Sequence, residues 1–301
     1  MLVAGELQAE PVRSINFVGV MRLLREGQVI RSTYEVERFL GEGAFAEVYR
    51  VKHRFLGRQA MKVFKLVGMS RDEAEQALHE ALILSRIGHP NIVRVFDADL
   101  VSTARGDCAY FTMEYVAGGT LEKFWQSFGG AFVPVGTSVG IMQQVCRGLS
   151  VAHAEKPPIV HRDIKPQNIL VGYDSGGLRV RVSDFGLAKR ANPLTLQVSA
   201  MGTRAFKAPE VFLEPKADSC RGDVWALGCV LYLLLTDRLP GLGAEGRLLE
   251  NELQPASPLA APSSINPAVD SGLDAIVRRA LAIEPQCRYS HAREILADLE
   301  A

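Results

Sequence analysis

The segment VHRDIKPQNIL, residues 160–170, places a carboxylate at Asp163, an ammonium at Lys165 and an amide at Asn168 within a few positions of one another. These three groups suit phosphoryl transfer. The carboxylate can orient a nucleophilic hydroxyl and accept its proton. The lysine can offset charge on the transferred group, and the amide oxygen can ligate a divalent metal. Asp184, in VSDFGLA, stands 21 residues beyond Asp163 and adds a second oxygen donor of the hard kind that Mg²⁺ favours. HRD or DFG alone arises readily by chance; both in this order, each flanked by β-like runs, are a specific signal.

Further charges fall where they need explaining. In FLGEGAFAEVYRV, Gly41 and Gly43 are followed by Ala46 where a third glycine is expected. The stretch by itself fits a phosphate-cradling loop, a loop that has lost that ability, or a plain glycine-rich hairpin. Lys62 shares a strand face with Ala60 and alternates with Met61 and Val63. Glu80 lies on the same helical face as Ala77, Leu84 and Ile87, where a carboxylate is costly unless paired. Together they suggest a buried pair in which Glu80 orients Lys62 toward something negative.

The elements that must position these groups change character along the chain. Residues 1–33 carry weak patterning and receive no role. YEVERFL, AEVYRVKH and RQAMKVFKL read as strands, separated by GEGA and RFLG. A helix follows over SRDEAEQALHEALILSRIG, where Ser70 and Glu73 form a capping box and Gly88 marks the end. NIVRVFDADLV and CAYFTMEYV return to strands. From AGG at 117–119 the chain turns mainly helical, with Ile141, Val145, Leu149 and Ala152 at helical spacing. LQPASPLAAPSSINP, 253–267, reads as a surface loop between helices. A strand-rich part with one helix, then a helical part, implies an α+β chain of two lobes with a cleft between them.

Composition narrows the classes. Lys plus Arg and Asp plus Glu both number 34, so net charge is zero, which weighs against a nucleic-acid binder working through bulk positive charge. Five scattered cysteines without a CxxC read as buried free thiols in a reducing compartment. The longest apolar run, VWALGCVLYLLL, is shorter than the roughly 18 residues a membrane span needs, so it reads as a core helix. No membrane segment, no secretory leader and a cytoplasmic location are expected.

At this point the chain, over residues 34–300, resembles the eukaryotic-type (Hanks-type) Ser/Thr protein kinases. The resemblance rests on GEGAFAEV, AMKVF, HPNIV, FTMEYVAGG, HRDIKPQN, DFG, GTRAFKAPE, DVWALG and EPQCRYS. It implies the bilobal kinase fold: an extension of unknown role at 1–33, an N-lobe of small antiparallel sheet and one helix through the hinge at 34–116, and a mainly helical C-lobe at 117–301. It also implies ATP as the phosphate donor, with Mg²⁺, or Mn²⁺ in its place, held by Asn168 and Asp184.

By the same resemblance, Asp163, Lys165, Lys62, Glu80 and Thr203 form the catalytic set. Leu40, Gly41, Gly43, Val48, Ala60, Met113, Glu114, Val116 and Leu170 join Lys62 around the nucleotide, with Met113 as gatekeeper. Lys165 and the GT before APE imply Ser/Thr specificity. Thr195 and Ser199 are the activation-loop hydroxyls; phosphate on Thr195 would pair with Arg162 and with Lys189 or Arg190. Arg288 is expected to pair with Glu210, and Asp223, in DVWALG, is expected to be structural. The tail resembles those of bacterial members. Because the chain ends there, a soluble kinase with a protein substrate and a regulator, if any, on a separate chain is expected.

Four positions depart from the commoner pattern: Ala46, Phe206, Gln167 and RLPGLG. Only Ala46 bears on catalysis; it adds one methyl group at the far end of the loop, and with Lys62, Glu80, Asp163, Asn168 and Asp184 all present the stretch reads as a working phosphate loop. Gln167 in place of glutamate weakens the case for a preference for basic residues before the target site. The competing readings are a pseudokinase scaffold, which usually lacks one of the lysine or aspartates present here, and a small-molecule kinase, which generally lacks the GT…APE segment.

Overall fold

The computed structural model describes residues 22–43, 46–65, 78, 85–185, 204–214, 219–240 and 259–301. Six antiparallel strands form the first sheet: β1 (Val29–Ile30), β2 (Tyr34–Glu42), β3 (Ala46–His53), β4 (Gly57–Phe64), β5 (Val95–Thr103) and β6 (Gly106–Glu114), in the order β1-β2-β3-β4-β6-β5. A second sheet pairs β7 (Ile169–Asp174) with β8 (Gly177–Val182). The helices are α1 (Leu121–Gln126), α2 (Val135–Ala154), α3 (Pro209–Leu213), α4 (Cys220–Thr236), α5 (Pro262–Ile265), α6 (Ser271–Ala280) and α7 (Ala292–Glu300).

Strand alternation divides the first sheet into two apolar faces. Tyr34, Val36, Tyr49, Val51, Met61, Val63 and Tyr110 form an outer cluster. Ala46, Ala60, Phe64, Phe111 and Met113 form an inner one, against which Leu40, Val48 and Leu170 pack. Leu170 comes from β7, so the inner cluster reaches from one lobe into the other.

Residues 22–30, for which the sequence assigned no role, close the outer face. Leu23 and Leu24 are buried in the outer cluster, and β1 pairs with the start of β2. The helical lobe is built around α4, which buries Val224 and every residue from Ala226 to Thr236, as an all-round apolar helix must. The expected core helix is therefore found, and it is longer than its apolar run.

The loop expected over 253–267 contains a one-turn helix, α5, which starts at Pro262 and is pinned by Asp274, whose carboxylate accepts from Ser263 N–H (2.9 Å) and Oγ–H (2.5 Å). A proline at the first helical position needs no N–H partner. Of the cysteines, Cys108, Cys146 and Cys229 are buried, but Cys220 is half-buried and Cys287 exposed. Among the described residues no helix is long and apolar enough to cross a membrane.

Candidate active site

The site lies where β4, β7 and the loops after α2 and β8 converge. β4 carries Lys62 on the inner face beside Ala60, and its Nζ meets the Asp184 carboxylate at 2.9 Å across the two lobes. The Lys62 ammonium also lies 5.7 Å from the centroid of the Phe111 ring, on the strand paired with β4. Lys62 is therefore brought to Asp184; its expected partner Glu80 lies outside the described residues.

The loop before β7 brings the other three groups together. The Asp163 carboxylate accepts from Lys165 Nζ at 3.0 Å and from Asn168 Nδ2 at 3.0 Å. Asn168 Nδ2 also donates to the Asp163 carbonyl at 2.8 Å. With both amide hydrogens directed at Asp163, Asn168 presents its oxygen elsewhere. The short 3₁₀ turn Pro166–Asn168 makes this possible by folding Asn168 back over Asp163.

Two residues here hold left-handed backbone, Arg162 at φ 68° and Asp184 at φ 58°. Such conformations cost about 1–3 kcal/mol each for residues other than glycine, so something must hold them. For Arg162 the holder is Asp223, whose carboxylate accepts His161 N–H at 2.7 Å, Arg162 N–H at 2.8 Å and His153 Nε2–H at 3.0 Å. Burial opposes the charge on Asp223, and the hydrogen bonds from His153 and His161 more than offset it, keeping its carboxyl below the ordinary range. His153 Nδ1 accepts the Ala292 N–H at 3.2 Å, which leaves its ring proton on Nε2.

His161 ties the segment of Asp163 to that of Asp184. Its ring is fully buried; Nδ1 accepts Asp163 N–H at 3.2 Å and Nε2 donates to Ser183 O at 2.9 Å. Burial pushes its pKa down, so it stays a neutral imidazole with the proton on Nε2. The same ring packs 4.5 Å from Phe185.

Several of the positions expected around the nucleotide collect on the inner face. Leu40, Val48, Ala60, Met113 and Leu170 belong to one apolar cluster, and Gly41 pairs with Val48 across the β2–β3 hairpin. Glu114 N–H is occupied by the Arg94 carbonyl at 2.9 Å, so the Glu114 backbone has its carbonyl left to offer. Its side chain pairs with Arg181 at 2.6 Å. Beyond Val116, a side chain on Gly118 would lie 2.3 Å from the Val171 carbonyl, so the chain after β6 passes β7 at a distance only glycine allows.

Farther out, Arg288 holds Glu210 through two parallel bonds of 2.7 and 2.8 Å. Gln167 Nε2 donates to Glu122 at 2.6 Å, so the position without its usual glutamate has a neighbouring carboxylate. Thr195, Ser199 and Thr203 lie outside the described residues, as do Lys189 and Arg190. Sequence reasoning did not single out His161, Asn91 or Glu47. Asn91, in HPNIV, donates to Val180 O at 2.9 Å and receives Val182 N–H at 2.8 Å, joining the two lobes.

The residues present fit Mg²⁺. One carboxylate and one amide oxygen are too few to enclose the ion. Mg²⁺ typically takes one or two protein oxygens and completes its shell with water and substrate phosphates. Among the described residues no cluster of three or more His, Cys, Asp and Glu side chains competes for a metal.

A family model described as the protein kinase domain matches residues 34–298. The chain is 38% identical over 268 residues to serine/threonine-protein kinase Pkn1 of Myxococcus xanthus, covering 86% of this chain and 36% of that protein. It is 33% identical over 272 residues to serine/threonine-protein kinase PknB of Mycobacterium leprae, covering 88% and 42%. The matches thus span less than half of these curated relatives. Among solved structures, the PknI kinase domain of Mycobacterium tuberculosis is similar at 27% identity with a TM-score of 0.65, over 92% of this chain and 98% of that one. With a domain match over most of its length and relatives of this identity, the chain belongs to the Hanks-type Ser/Thr protein kinase family.

Proposed function

We propose that this chain transfers the γ-phosphate of ATP to a serine or threonine hydroxyl of a protein. The observation that carries the reading is the convergence of Asp163, Lys165 and Asn168 at 3.0 Å contacts in one loop, facing a cleft that Lys62 and Asp184 span at 2.9 Å. In this reading 34–116 is the N-lobe through the hinge and 117–301 the C-lobe, and residues 22–33 are joined to the former.

Asp163 orients the incoming hydroxyl and takes its proton as the oxygen attacks phosphorus. Its carboxylate is held for that task by Asn168 and by the neutral His161 behind its backbone. Lys165 and Lys62 stabilise negative charge on the transferring and donor phosphates. Asn168 Oδ1 and the Asp184 carboxylate would hold Mg²⁺ or Mn²⁺, which when bound would neutralise charge on the phosphate oxygens. Leu40, Val48, Ala60 and Leu170 enclose the adenine, Met113 closes the back of its pocket, and the backbone at Glu114 and Val116 reads its edge. Gly41 and Gly43 let backbone approach the phosphates. Glu80 orients Lys62, and Thr203 bonds with Asp163 and Lys165. Thr195 and Ser199 receive phosphate from the chain itself.

A protein substrate is supported by the names of the relatives, each a serine/threonine-protein kinase. The scaffold alternative finds no support, since the lysine and both aspartates whose loss marks it are retained. The test is incubation with γ-labelled ATP, Mg²⁺ and a generic protein substrate, followed by site mapping. Label on serine and threonine that falls at least about 100-fold in Asp163→Asn is expected. Transfer that survives this substitution, or a wild-type chain that binds ATP and never turns it over, overturns the proposal.

A further inference from the structure

Glu47 is a carboxylate on the outer face of the sheet, where the alternation of β3 puts it next to Tyr49 and opposite to the cleft-facing Ala46 and Val48. A charge at such a position ordinarily stands in solvent. Here it is 2% exposed. Burying a carboxylate is costly unless it is paired or hydrogen-bonded, and its partners come from the start of the described chain. Leu23 N–H donates to Glu47 Oε2 at 3.0 Å, and the Tyr49 hydroxyl donates to the same oxygen. Leu24 N–H in turn donates to the Tyr49 hydroxyl oxygen at 3.1 Å.

The same few residues grip the other arm of the hairpin. The Arg22 guanidinium lies 3.5 Å from the centroid of the Phe39 ring on β2 and bonds Glu42, between the two loop glycines, at 3.0 Å. Phe39 meets Tyr49 edge-on at 5.7 Å. Leu23 and Leu24 fill the outer cluster beneath these contacts. Residues 22–24 therefore clasp both arms of the glycine hairpin from the side away from the cleft. On the other side of the hairpin, Leu40, Ala46 and Val48 belong to the cleft-facing cluster.

We infer that Glu47 is a positioning residue for the nucleotide: by fastening residues 22–24 across both arms of the hairpin, it sets how closely the glycine loop lies over the cleft, so that ATP affinity depends on a segment outside the kinase domain match. The inference rests on the proposed ATP-dependent activity, since the loop acts on nothing if no nucleotide binds. It gives the stretch before residue 34 a task that neither the family match nor the motifs assign. It also accounts for a buried carboxylate that the chemistry of transfer does not use.

The experiment measures nucleotide affinity by titration with ADP, together with KM for ATP, kcat and KM for a protein substrate, on the full chain. Glu47→Ala is expected to weaken ADP binding and raise the KM for ATP about tenfold, because it leaves Leu23 N–H and the Tyr49 hydroxyl without their acceptor. The kcat at saturating ATP and the KM for protein stay within about twofold, because the reacting groups are untouched. Glu47→Gln, which keeps an acceptor oxygen, recovers most of the affinity. Arg22→Ala, at a half-exposed position where folding is safe, weakens ADP binding about two- to fivefold.

Val101→Ala provides the structural control. It lies in the same outer cluster on the far edge strand, so it lowers the melting temperature and leaves ADP affinity unchanged. A merely structural role for Glu47 would make Glu47→Ala behave like Val101→Ala, with reduced stability and unaltered affinity, and that result overturns the inference. Should Glu47→Ala not fold, Arg22→Ala decides, and unaltered ADP affinity there is fatal. A wild-type chain that binds no nucleotide overturns the functional proposal itself and this inference with it.

Discussion

The cleft pair Lys62–Asp184 and the pair Arg288–Glu210 in the floor of the helical lobe join a cation to a carboxylate at similar lengths, 2.9 Å in one and 2.7 and 2.8 Å in the other. Their surroundings differ. The Arg288 side chain has no exposure, and all five of its N–H groups are spent: two on Glu210, the others on the carbonyls of Ala282, Ile283 and Arg221. Its guanidinium also lies 4.9 Å from the Trp225 ring centroid. Asp184, by contrast, is 35% exposed and sits on left-handed backbone at the edge of the cleft. A charge pair whose every hydrogen has a fixed acceptor is a fastening between α3 and the segment before α7. A pair left partly open on strained backbone is free to exchange partners with a ligand.

Arg288→Ala is expected to have the largest effect on stability. Removing the fully buried guanidinium leaves Glu210 and three carbonyls without their donors, so a stability loss of about 3 kcal/mol is expected in urea unfolding. Arg288→Lys recovers little of it, because an ammonium cannot match a planar fork with five donors. ADP affinity of the molecules that remain folded should be unaltered. A melting temperature that barely moves would mean that the floor pair is as loosely held as the cleft pair.

Asp184→Asn asks the reverse question. Taking away the half-exposed carboxylate costs stability at most about 1 kcal/mol. It removes the partner of Lys62 and, in the proposed function, a metal ligand, so phosphotransfer should fall about 100- to 1,000-fold, or about 2.7–4 kcal/mol of transition-state stabilisation. Steady-state rates beside a thermal melt separate the two. A variant that melts early and retains its rate would make Asp184 a fastening after all.

The difference between these pairs also marks what could be read in advance. Lys62 and Ala60 were legible as one face of a strand because alternation assigns a face from neighbours one and two residues away, whereas Val48 was named only through the resemblance to a family. Arg288–Glu210 joins segments 78 residues apart and is visible in the chain only through the resemblance to a family. The partner of Lys62 seen here, Asp184, lies 122 residues away, and periodicity carries no information on that scale. Glu47 was missed for a related reason. On its own strand it reads as a solvated charge, and its burial depends on Leu23 and Leu24, in a stretch too weakly patterned to suggest that it covers a sheet. The short helix α5 escaped because Pro and Ser signal a loop as strongly as a helix start, and its anchor, Asp274, is 11 residues downstream.

His161 tests where the line between fastening and working site runs, through the smallest of the three effects. It stands beside Asp163, the proposed catalytic base, yet it has the marks of the floor: no exposure and both ring nitrogens committed. Burial holds its pKa below the ordinary value. Below about pH 6.5 an imidazole in the unfolded chain takes a proton that the folded one refuses, so the unfolded state binds more protons there. Stability contributed by the neutral ring is present above that pH and is lost as pH falls toward the depressed pKa. One proton gives a slope of at most about 1.4 kcal/mol per pH unit. His161→Gln is expected to remove that slope between about pH 6.5 and 5, read as the difference between wild-type and variant unfolding free energies. If the two slopes coincide, the ring is not the neutral acceptor on which Asp163 N–H rests. The rigid part of the molecule would then end at Asp223, one hydrogen bond farther from the reacting hydroxyl.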